Sequence, residues 1–94
     1  MSFEYASRSP IIVNYTLTDA NTWYNVIAAI SGVRKWFMKA RESTDNSFDY
    51  DFTSTHLTHM TNSGSGVSFD GCVLPDVYCR SATAGTVIEL IYWN

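Results

Sequence analysis

Charge is scarce in this chain. Of 94 residues, 6 are Lys or Arg and 9 are Asp or Glu, so charged side chains make up 16%, where an ordinary soluble domain carries roughly a quarter. The formal net charge of -3 leaves no electrostatic footprint for a phosphate backbone and argues against nucleic-acid binding. The one basic cluster, Arg34, Lys35, Lys39 and Arg41, is followed by Glu42, Asp45, Asp49 and Asp51 and reads as the solvated side of a strand pair. Cysteine is scarcer still: there are only Cys72 and Cys79, which form no CxxC pair, and this excludes a disulfide-dense scaffold. No apolar stretch approaches the length of a membrane-spanning helix, and residues 1–10 carry no apolar signal core. The expectation is therefore synthesis in a cytoplasm with reduced thiols and no membrane partner. Asn62 to Gly66 holds two glycines but neither a lysine nor a following helix, so it is not a nucleotide loop.

What is present is apolar and aromatic. Hydrophobic residues make up 46% and aromatic ones 15%, the composition of an interface core. A chain this short builds a modest core of its own, and oligomerisation is the staple left once disulfides are set aside. The competing explanation is a surface solvated by its many Ser, Thr and Asn.

Short strands run through the sequence. Residues 1–10 are polar and without pattern apart from Phe3 and Tyr5, and read as an arm; residues 11–94 read as one domain. Ile11 to Leu17 is β-branched and aromatic and stops at Thr18-Asp19-Ala20-Asn21. Between 21 and 30, Trp23, Val26, Ile27 and Ile30 fit a helical stripe, but aromatic and β-branched content favours a strand, and Ser31-Gly32 ends either one. Val33 to Arg41 alternates, with Trp36, Met38 and Ala40 on one face and Lys35, Phe37, Lys39 and Arg41 on the other. Residues 42–47 form a loop. Phe48 to Phe52 then sets aromatics inward and Asp49 and Asp51 outward.

Thr55 to Thr61 reads as a weaker edge strand, Asn62 to Gly66 as a turn and Val67 to Phe69 as a short strand. Two strands around a small-residue turn close the chain, the second with Thr86, Ile88, Leu90 and Tyr92 on one face and Val87, Glu89, Ile91 and Trp93 on the other. The sum predicts an all-β fold, a single antiparallel β-sandwich or jelly-roll-like barrel of seven to eight short strands, with a short helix at 21–30 as the alternative there.

Chemistry-bearing residues are few. Asp49 and Asp51 share a strand face and could form a carboxylate pair or hard-cation site, against the plainer reading of a wet face. His56 and His59 are three apart, on opposite faces if the segment is a strand, so they do not share a metal there. Neither cysteine is marked as an activated nucleophile. They flank Pro75-Asp76, where a tight hairpin would set them opposite each other, so a cross-strand disulfide and two free thiols both stay open. Trp23, Trp36 and Trp93 lie in apolar segments and read as core. No catalytic, metal-binding or cofactor-binding residue is assigned.

The pattern resembles small virion structural proteins of tailed phages, above all head decoration or cement proteins. The resemblance lies in Leu17-Thr18-Asp19-Ala20, the basic strand Val33 to Ala40, the step Gly71 to Pro75 into Val77 to Ser81, and Ala84 to Leu90 closing on Tyr92-Trp93. It implies a non-enzymatic protein of the virion that binds the major capsid protein, as a homo-oligomer and most often a trimer. The candidate contacts are Phe3 and Tyr5 in the arm and Val87, Ile91, Tyr92 and Trp93 at the close. Two alternatives stay open: a carbohydrate-binding module using Trp23, Asp45, Asn46 and Asn62, and a head–tail connector or tail ring component.

Overall fold

Alternation becomes strand wherever one face of a segment has a core to enter. The computed structural model describes residues 9–41, 47–63 and 66–93. Eight strands appear: β1 (Pro10–Leu17), β2 (Tyr24–Ile27), β3 (Lys35–Ala40), β4 (Ser47–Asp51), β5 (Met60–Ser63), β6 (Val67–Asp70), β7 (Val77–Arg80) and β8 (Thr86–Trp93). Among the described residues there is no helix. The helical alternative at 21–30 is thereby corrected. Tyr24 and Val26 pack on the core while Trp23 and Asn25 point away, a period of two, and β2 pairs with β7 across a register shift between Asn25 and Ile27.

The strands form two four-stranded sheets, in the orders β1-β8-β3-β6 and β2-β7-β4-β5, with every pairing antiparallel. Only β4 and β5 are consecutive neighbours within a sheet; each other connection crosses to the opposite sheet. This is the strand order of a jelly roll, the more specific of the two architectures expected. It also means that β7 and β8 are not a hairpin, because the Ser81 to Gly85 turn carries the chain between sheets. Ser81 holds that turn, donating from Oγ to the Ser47 carbonyl at 3.0 Å and accepting the Thr83 N–H at 3.1 Å.

The inner faces supply one core: Leu17, Trp36, Met38, Ile88 and Leu90 from the first sheet, and Val26, Phe48, Tyr50, Val77 and Cys79 from the second. Trp36 stacks on Phe69 at 4.8 Å, and Tyr50 meets Phe69 edge-on at 6.1 Å across the sandwich. Full burial of an aliphatic or aromatic side chain of this size stabilises by about 1.5–3 kcal/mol. The alternations of β3 and β8 are as expected. Trp36, Met38, Ala40, Ile88 and Leu90 are buried, and Lys35, Phe37, Val87, Glu89, Ile91 and Trp93 face out.

Two further expectations are corrected. Thr55 to Thr61 is not a strand: β4 stops at Asp51, residues 52–59 form a loop, and β5 begins only at Met60 and runs into the segment expected to turn. The cause is Asp51, whose carboxylate accepts the N–H groups of Phe52 at 2.7 Å and Thr53 at 3.3 Å and so draws the chain out of the ladder. Nor does Pro75-Asp76 close a hairpin. Leu74 bridges Ile30, and Asp76 accepts the Ala29 N–H at 2.8 Å, so the segment ties the β2–β3 connection to the β6–β7 connection.

Candidate functional site

The outward face of the first sheet is built in rows by strand register. Ile12 of β1 pairs with Ile91 of β8, and Ile91 with Phe37 of β3, so three apolar side chains lie in line across three strands. Ile12 is 67% exposed. Around this row runs a shallow depression of about 290 Å³ lined by Ile12, Asn14, Phe37, Lys39, Glu89 and Ile91. Trp93 lies one step along β8, with Lys35 Nζ 5.1 Å from its ring centroid, and Val87 lies on the same face beyond Glu89.

The next row is ionic. Asn14, Glu89 and Lys39 are register partners, and Glu89 accepts from Arg41 Nε at 2.8 Å with Lys39 Nζ at 3.7 Å. The Arg41 hydrogen bond and the two cations hold the Glu89 carboxyl below its ordinary range. Glu89 is thus a partner of both Lys39 and Arg41 across the ladder. Asp49 pairs with Arg80, and Glu42 and Asp45 lie outside the described residues.

Of the interface residues expected from sequence, Val87, Ile91 and Trp93 share this outward face. Tyr92 does not: it packs against the core beside Leu90. Phe3 and Tyr5 lie outside the described residues. Sequence reasoning missed Ile12 and Phe37, because which strands flank β8 is a matter of topology. Their outward alternation was visible, their meeting with Ile91 was not.

The outward face of the second sheet is chemically different. Register aligns Arg80 with Asp49 and Asp49 with Thr61, while Tyr78 pairs with Asp51. Arg80 Nε donates to Asp49 at 2.8 Å, and Thr61 Oγ1 donates to the same carboxylate at 2.6 Å. Burial pushes the Asp49 pKa up, but Thr61 and Arg80 outweigh it and hold the group below its ordinary value. The loop over 52–59 folds back on this face. His56, with φ of 54°, stacks on Trp23 at 4.3 Å and 7°, and His59 meets the same ring edge-on at 5.7 Å. Arg80 also lies over Trp23, at 4.7 Å.

Both expected aspartates therefore face outward, but neither is simply wet. Asp51 is 6% exposed and serves as the loop's anchor, taking His56 Nδ1 at 3.2 Å besides the two backbone N–H groups. Burial raises its pKa and these donors more than reverse the effect, leaving it lowered. The two histidines do come together, contrary to the strand-based expectation, because their segment is a loop. They meet at Trp23 and at two separate aspartates rather than at a shared cation. Among the described residues no group of three His, Cys, Asp or Glu side chains is placed to hold a metal ion.

Trp23 is half-buried under His56 and Arg80, so it is neither the core residue expected nor an open platform for a sugar ring. Asn62, a second residue of the carbohydrate alternative, donates from Nδ2 to the Gly66 carbonyl at 3.1 Å; Asp45 and Asn46 lie outside the described residues. Cys79 is buried and pairs in register with Tyr24 and Tyr50, while Cys72 is exposed on the β6–β7 connection; both are free thiols. Burial, assisted by the Asp49 charge, pushes the Cys79 thiol up to about 12, the reverse of an activated nucleophile. No protein-family model matches the chain, and neither the curated proteins nor the solved structures give a match.

Proposed function

We propose that this chain is a non-enzymatic structural component of a virus particle, a small decoration protein that docks the outward face of its β1-β8-β3-β6 sheet on the capsid shell. The observation that carries the reading is the apolar row of Ile12, Ile91 and Phe37 with its ionic border of Glu89, Lys39 and Arg41. An apolar centre rimmed by charge is the layout of a protein contact. The jelly-roll order supports the reading, since viral capsid domains are built on it. Lectins share that architecture too, and for this reason the fold by itself does not choose between them.

A repeated shell suits a small surface of this kind. Many weak contacts on one lattice give avidity that no single one supplies. The test is recruitment: capsid shells assembled without the protein are incubated with the wild type and with Ile91→Asp, then sedimented. Binding by the wild type in icosahedral copy number, and its loss in a folded Ile91→Asp variant, is the expected result. Wild-type protein left in the supernatant overturns the proposal. A glycan-array signal that disappears on Trp23→Ala favours the carbohydrate-binding alternative in its place.

A further inference from the structure

We propose that the free edge of β1 is completed by β1 of a second copy of this chain, joining the two outer sheets into one continuous eight-stranded sheet about a two-fold axis. An unpaired sheet edge presents a row of N–H and C=O groups that readily pair with another strand, and proteins protect such edges by shortness, bulges or charge. Three of the four edges here carry such a device. β2, β5 and β6 are four residues each; β2 has a register shift, and β6 ends on Asp70. β1 is the exception. It spans eight residues, PIIVNYTL, with no charged side chain and with its one proline at the very start. Among the described residues no strand lies beyond it.

Its sequence suits its own copy. In an antiparallel pair, facing residues must lie on the same side of the pleat, so a two-fold seam must be centred on a residue. Centring it at Val13 or Asn14, the middle of the strand, pairs all but one of its 8 residues and brings no like charges together. Ile11 at 37% exposure and Ile12 at 67% then gain cover across the seam. The seam also continues an existing surface, because Ile12 begins the row that runs through Ile91 to Phe37. Two such rows would lie side by side on one flat face. A contact of this kind is isologous and closes at two copies, where the phage resemblance implies three. It is also small beside a standard interface of roughly 1,600 Å², so the dimer forms at micromolar to millimolar concentration.

The free protein in solution tests this independently of any capsid. Sedimentation equilibrium of the wild type across that range is expected to give a species of twice the 10.6 kDa chain mass. Asn14→Lys places a lysine beside Glu89 within each copy, which suits the monomer, and sets two lysines near each other across the seam. It is expected to weaken dimerisation by about tenfold or more. Thr16→Lys, next to Val87, serves if the first variant fails to fold. Asn25→Lys, the same charge change at the β2 edge, is expected to leave dimerisation unchanged. Hydrogen exchange of β1 amides is expected to slow as wild-type concentration rises. A wild type that stays monomeric throughout, a trimer, or a dimer that folded β1 lysine variants leave equally tight overturns the proposal.

Discussion

Asp51 shows how one side chain can set both an element's end and its chemistry. Its carboxylate is withdrawn from water, yet it carries the loop's first two N–H groups and His56. Hydrogen bonds to a charged acceptor are worth about 1.5–3 kcal/mol each before desolvation is set against them. Asp51→Asn is therefore expected to cost about 1–3 kcal/mol at neutral pH, measured by denaturant unfolding. The sign of the pH dependence follows from the lowered pKa. Between the folded and unfolded values the unfolded chain binds more protons, so the contribution is complete above about pH 4 and is lost as pH falls through the folded value. Asp49 acts in the same direction. Wild-type stability is expected to fall below about pH 4, and the fall should be shallower in Asp51→Asn; parallel profiles for the two proteins would show that Asp51 does not anchor the loop.

At the scale of elements, the strands that were legible are those with two chemically distinct faces. Trp36, Met38 and Ala40 alternate with Lys35, Phe37 and Lys39, and β8 alternates in the same way, so a period of two was visible without knowledge of any partner. The loop over 52–59 was not legible, because its Thr content matches a strand and the deciding interaction is the capture of backbone N–H groups by Asp51. Sheet switching between β7 and β8 was hidden for a similar reason: a small-residue turn looks alike whether it joins two neighbours or two layers. The pairing of Arg41 with Glu89 was not legible either, because the two lie 48 residues apart and meet only through strand register.

The β5–β6 connection adds a constraint that no periodicity reveals. Gly66 has φ of 100°, and a Cβ there would come within 2.6 Å of the Met38 carbonyl oxygen, which is backbone and cannot swing aside. Gly66→Ala combines left-handed strain with that clash and is expected to lower stability by roughly 1–3 kcal/mol or more. Thermal unfolding checks it. Gly85→Ala is the comparison, since at φ of 83° its Cβ meets nothing within 4 Å and only the strain remains.

For the whole molecule, the two sheets give it two unlike outsides. One is an apolar row with an ionic border, the other an aromatic and charged cap held by a loop. Docking through the first turns the second to solvent, so such a module has a defined orientation on any surface it covers. The strand that closes the sandwich, β8, is paired along its whole length with β1, from Leu17 opposite Thr86 to Pro10 opposite Trp93. Pro10 and Trp93 are consequently neighbours at one end of the ladder. Force applied between them loads the backbone hydrogen bonds one pair at a time, as in opening a zipper, and never all together in shear. Single-molecule pulling from these two positions is expected to open the domain at lower force than pulling between Pro10 and Thr86, where the same ladder must slide as a unit.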